Sequence, residues 1–121
     1  MGRRGVRRIR QGQPRGTPLN RGEIYDADSP DGRRPVVVLT RDWAIPLLAN
    51  VTVAGITATI RGLPTEVPLG REHGLDRESA VNCDNLFTLS KSSFGRRRGE
   101  LDPQSTERLR SALVLALDLE R

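Results

Sequence analysis

Apolar positions along this chain fall into short runs divided by turn formers, and only the last twenty residues change period. Glu23-Ile24-Tyr25-Asp26-Ala27 reads as a first strand, closed by the turn cluster Asp28-Ser29-Pro30-Asp31-Gly32. Pro35-Val36-Val37-Val38-Leu39-Thr40 is a continuous β-branched run, the mark of a strand covered on both faces. Val51-Thr52-Val53-Ala54-Gly55-Ile56-Thr57 follows, and Gly55 within it predicts a bulge or a close approach of another backbone. Thr65-Glu66-Val67-Pro68-Leu69 carries a proline that confines it to an edge or a strand end. Ala80-Val81-Asn82-Cys83-Asp84 and Leu86-Phe87-Thr88-Leu89 read as two more short strands.

Beyond residue 100 the spacing becomes helical. Asp102-Pro103 offers an N-cap and a first-turn proline. Leu109, Ala112, Leu113, Ala116 and Leu117 recur at three and four residues, so one apolar face should pack on the sheet. The pattern predicts a strongly bent, mainly β barrel with a C-terminal helix.

Composition sharpens the domain plan. Residues 1–20 are rich in Gly, Arg, Gln and Pro, and cannot bury enough apolar surface to offset their ordering entropy. They are read as a basic disordered arm, and 21–121 as the folded domain. The net charge of +5 comes from that arm: residues 1–21 hold seven arginines and no acid. The other hundred residues hold 13 basic and 15 acidic side chains. Bulk charge therefore argues for nucleic acid only through the arm, and a polyanion site in the domain must be a local cluster. With one cysteine and one histidine, neither an internal disulfide nor a self-contained structural zinc site can form. No apolar run nears the about 20 residues of a membrane span, and the basic start lacks the apolar stretch of a secretory signal. A reducing cytoplasm is the expected compartment.

Three places can carry chemistry. Arg33-Arg34-Pro35 stands where a polar turn meets a buried strand, and Pro35 stiffens the position of Arg34. A guanidinium held there can clamp a phosphate through two parallel hydrogen bonds, although spacing alone fits a solvated turn arginine as well. Thr57 ends an inner strand before Ala58-Thr59-Ile60-Arg61-Gly62. Its hydroxyl can donate to a phosphate oxygen or satisfy its own backbone. In Asn82-Cys83-Asp84-Asn85, alternation turns Asn82 and Asp84 one way and Cys83 the other, toward the core. Asp84 can orient an arginine or act as a base, and Asn82 and Asn85 can read base edges. His73, in the loop Gly70-Arg71-Glu72-His73-Gly74, is read as solvated, and Arg96-Arg97-Arg98 as a solvated basic face or an RNA path. Walker, zinc-protease and nucleophile-elbow motifs are absent.

These places are where the sequence resembles a known family. Arg21-Gly22-Glu23-Ile24-Tyr25, Arg34-Pro35-Val36-Val37-Val38-Leu39 and Val51 to Thr57 resemble successive blocks of MazF/PemK toxins. Gly74-Leu75, Ser79 to Asn85 and a Gly99-Glu100-Leu101 turn before the helix continue the likeness, which spans roughly residues 21–119. The stretch from Asn50 to Gly62 looks most like actinobacterial members. The resemblance implies an SH3-like barrel of the MazF/PemK/CcdB type, forming a homodimer. It implies a type II toxin that cuts single-stranded RNA at short sequences, without metal or other cofactor. It also implies a cognate antitoxin whose C-terminal segment occupies the RNA groove. The family's catalytic Arg falls on Arg34, its Thr on Thr57 and the acid of some members on Asp84. Arg33, Thr59, Arg61, Asn82 and Asn85 are the expected RNA contacts. Gly55 stands where the family usually has Pro, and Asn82 where some members have Arg, so no Arg–Asp acid/base pair is available at that point. A CcdB-like gyrase poison is the alternative, although the chain ends Leu117-Asp118-Leu119-Glu120-Arg121 without the Trp such proteins use. A decayed SH3-like binding module is the third reading.

Overall fold

The computed structural model describes residues 19–119. The expected arm, residues 1–20, lies outside them as far as residue 18. Its last two residues are described: Leu19 is buried, and the Asn20 amide donates to the Glu23 carboxylate at 2.8 Å.

Six antiparallel strands form one curled sheet: β1 (Glu23–Ser29), β2 (Gly32–Val38), β3 (Asn50–Thr57), β4 (Glu66–Leu69), β5 (Ser79–Ser90) and β6 (Phe94–Glu100). Their spatial order is β4-β5-β3-β2-β1-β6, which leaves β4 and β6 as edges of a barrel-like sheet. Pro68 therefore lies on an edge strand, where its missing N–H removes no necessary ladder bond. One helix, α1 (Pro103–Leu117), packs against β4 and β5.

Both faces of the central strands are covered, as the unbroken valine run predicts. Val37, Ala54, Ile56, Val67, Val81 and Cys83 meet Leu109 and Ala112 of α1 on one face. Tyr25, Val36, Val38, Val51, Val53 and Phe94 form a second core on the other. Each fully buried valine contributes on the order of 1.5–3 kcal/mol. Among the described residues, no helix is long and apolar enough to cross a membrane.

Five expectations are corrected. The two short strands at 80–84 and 86–89 are one twelve-residue strand, β5, interrupted by a bulge. Gly99 and Glu100 form no turn; they belong to β6 and face Ile24 and Glu23 of β1. Leu117 is half exposed, because α1 has run past the sheet by its last turn. Asp102 sits at the N-cap position but its side chain turns away from the helix amides. It meets the ring of His73, which is buried rather than solvated.

Candidate active site

The site is built where β2 and β3 stop pairing. The turn at Pro30-Asp31 and the positive φ of Gly32 start β2, and Arg34 stands opposite Ala27 of β1. β2 and β3 pair from Val38↔Val53 to Val36↔Gly55. Arg34 lies two residues before Val36, and Thr57 two residues after Gly55. Directly opposed residues of an antiparallel pair share a face, and alternation returns to it every second residue. Arg34 and Thr57 therefore share one face, past the last β2–β3 pair. Arg34 is exposed, and its Nε donates to the Asp31 carbonyl at 3.3 Å. The Thr57 hydroxyl accepts the Thr59 amide at 3.0 Å, which leaves its own hydrogen to donate.

On the other side of β3 the β5 bulge brings three further groups. Gly55 faces Asn82, the next pair is Ala54↔Leu86, and residues 83–85 lie between. A Cβ at Gly55 would stand 2.7 Å from Asn85 Nδ2, so the absent side chain is what admits Asn85. Cys83 faces the core, and burial, with the Asp84 charge beside it, pushes its thiol up to about 11. Asp84 is exposed and accepts the Thr65 hydroxyl at 2.7 Å, while its amide donates to Asn82 Oδ1 at 2.9 Å. That Asx-type bond commits the Asn82 oxygen to its own backbone. Thr59 and Arg61 lie on the exposed segment that joins β3 to β4.

A family model for the PemK-like, MazF-like toxins of type II toxin–antitoxin systems matches residues 20–117. This chain belongs to the PemK/MazF toxin family. Endoribonuclease MazF3 of Mycobacterium tuberculosis is 46% identical over 90 residues, covering 74% of this chain and 87% of the relative. The solved structure of the M. tuberculosis toxin MazF-mt6 is 43% identical, with a TM-score of 0.78 over 82% of this chain and 99% of that one. A mycobacterial endoribonuclease solved in complex with its cognate antitoxin is 31% identical, again with a TM-score of 0.78, over 85% of this chain and 98% of that one.

Not every residue singled out in this PemK/MazF toxin joins the cluster. Arg33 faces the opposite side of β2 from Arg34. It pairs with Asp28 at 2.6 Å, and its guanidinium lies over Gly95. Arg97 and Arg98 of the basic triplet are tied into ion pairs. Arg97 Nε meets Glu23 at 2.9 Å and its Nη2 meets Glu100 at 2.8 Å, whereas Arg98 bridges Asp26 at 3.0 Å and Asp76 at 3.2 Å. The hydrogen bond to Glu23 raises the Arg97 pKa further.

Two buried polar centres escaped the sequence reading. Glu23 accepts from the Tyr25 hydroxyl at 3.1 Å, and burial holds that phenol protonated far above its ordinary range. His73 Nδ1 accepts the Gly70 amide at 3.1 Å, so Nε2 carries the proton shared with Asp102 at 2.8 Å. Hydrogen bonds from Ser105 and His73 hold the Asp102 carboxyl well below the usual range. Among the described residues, no three His, Cys, Asp or Glu side chains gather as a metal site.

Proposed function

We propose that this toxin is a metal-independent endoribonuclease that cuts single-stranded RNA by transesterification. Endoribonuclease-named relatives favour that class over the gyrase poison and the decayed module. The observation that carries the reading is the placement of Arg34 and Thr57 on one face, past the last β2–β3 pair.

A ribose 2′-oxygen attacks the adjacent phosphorus while Asp84 takes its proton. The P–O5′ bond breaks, and the 5′ oxygen leaves with a proton from solvent. The products are a 2′,3′-cyclic phosphate and a 5′-hydroxyl end. Arg34 stabilises the charge that grows on the non-bridging oxygens, and Thr57 donates to one of them. Thr59, Arg61, Asn82 and Asn85 hold the flanking bases by their edges. Asn82 does so through its amide nitrogen, because its oxygen is engaged. Arg33, on the other face, contributes through a backbone phosphate.

The working form is a homodimer in the cytoplasm, silenced by an antitoxin whose C-terminal segment fills the RNA groove. Exposed apolar side chains at Trp43, Leu47 and Leu48, and at Leu115, Leu117 and Leu119, supply surface for such partners.

Incubation of a long single-stranded RNA with purified protein in EDTA tests the reaction. Discrete fragments with 5′-hydroxyl ends are expected. Equal cutting of an all-DNA oligomer of the same sequence overturns transesterification, because DNA lacks the attacking oxygen.

A further inference from the structure

Glu66 opens β4 beside the candidate site and faces Asn82, which in turn faces Gly55, so the three form a row across β4, β5 and β3. Among the described residues its carboxylate pairs with no cation. Glu66 Oε1 accepts three successive backbone amides, those of Arg61 at 3.1 Å, Gly62 at 2.9 Å and Leu63 at 3.3 Å. Oε2 shares the Arg61 amide at 3.3 Å, and the Glu66 amide returns a bond to the Leu63 carbonyl at 3.0 Å. Gly62 adopts a φ of +75°, which lets the three N–H groups converge as a backbone nest around the anion.

This nest holds a segment with no core of its own. Residues 58–64 are exposed, including Ile60 and Leu63. Their shape is set by polar bonds at three points. Thr57 fixes the Thr59 amide, Thr65 is tied to Asp84, and Glu66 gathers the middle. The same segment carries Thr59 and Arg61.

We propose that Glu66 is the positioning residue for sequence selection: it folds the 58–65 segment so that Thr59 and Arg61 meet the bases flanking the cut phosphate. This rests on the ribonuclease reading. Glu66 touches no reacting atom, so its removal should charge RNA binding with the cost of ordering the segment and leave the chemical step alone.

The test compares wild type, Glu66→Ala and Glu66→Gln. Cut sites on a long RNA are mapped by sequencing, and kcat and KM are measured on a single-site oligonucleotide. Trypsin cleavage after Arg61 and thermal melting complete the set. Glu66→Ala should raise KM about tenfold with kcat within about twofold, an order-of-magnitude expectation for freeing a few residues. It should also broaden the set of cut sequences and speed trypsin cleavage after Arg61. Glu66→Gln keeps an acceptor and should restore most of KM and of the cut pattern. An unchanged cut pattern and KM in Glu66→Ala, or a loss confined to kcat, overturns the proposal. Wild type that cuts no RNA overturns the ribonuclease reading instead, a different result from wild-type cutting that the variant merely copies.

Discussion

Arg34 and Thr57 share a sheet face two residues past the Val36–Gly55 pair, where β2 and β3 part. A donor aimed from such a stiff position costs on the order of 10²–10³ in rate when removed. Arg34→Ala and Thr57→Ala should each lose that much kcat while melting within about 2 °C of wild type, since both side chains are at least partly exposed. Arg34→Lys should recover little, because an ammonium cannot make the paired contact. Retained cleavage in Arg34→Ala would remove Arg34 from the reaction.

The Asp84–Thr65 bond adds a tether to the role of base proposed for Asp84, and the two are separable. Asp84→Asn keeps an acceptor for Thr65 but cannot take a proton, and should lower kcat by at least about 10², the range for a lost general base. Thr65→Val breaks the same bond and spares the carboxylate, so its kcat should stay within a few-fold of wild type. Equal losses in the two variants would reduce Asp84 to a tether.

Gly74 and Gly99 let the β4–β5 connection cross β6 backbone to backbone. A Cβ at Gly74 would collide with the Arg98 carbonyl, and one at Gly99 with the His73 carbonyl. Gly74 also has a φ of +90°. Main chain cannot step aside as a side chain end can, so Gly74→Ala and Gly99→Ala should each cost about 3 kcal/mol or more. For a domain of this size that lowers the melting temperature by more than about 10 °C. Gly55→Ala meets only the movable end of Asn85, so its melt should fall far less, and a comparable loss would refute the distinction.

Cys83 should be inert to iodoacetamide in the native protein through pH 9 and react at once after unfolding, because the thiolate is the nucleophile. An ordinary thiol near 9 ionises in the unfolded chain before the native one near 11 does. The unfolded state then holds fewer protons, and stability present below pH 9 is lost as pH rises from about 9 to about 11. Cys83→Ala should flatten the high-pH decline of the urea midpoint, and an identical decline would assign it to other groups.

Much of this fold is legible in the sequence because its central strands are unbroken β-branched runs and its helix starts on an acid and a proline. Gly55 announces the bulge opposite it, although what comes close there is the side chain of Asn85 and not another backbone. Cys83 follows from alternation alone. The strand missed was β6, Phe94-Gly95-Arg96-Arg97-Arg98-Gly99-Glu100, in which three arginines hide any period. It pairs through backbone and through the partners of Arg97 and Arg98 on β1 and the β4–β5 connection, all distant in sequence. His73 was misplaced for the same reason: Asp102, its partner, is 29 residues away. At the site, Arg34 and Thr57 were marked by residue type and family likeness, whereas the opposite facing of Arg33 follows from register. The bonds of Glu66 depend on how a loop folds back, which no spacing rule reports.

The pairing of β6 with β1 also bears on how such a protein is born. Arg97 and Glu23 lie 74 residues apart, and α1, which closes one core through Leu109 and Ala112, comes later still. A chain still on the ribosome therefore has its β2–β3 corner before it has the strand and helix that hold the corner rigid. A polypeptide stopped at Glu100 should show no cooperative melt. The corner that carries Arg34 and Thr57 is thus made early and stiffened late, so a partial chain holds both residues without the frame that aims them.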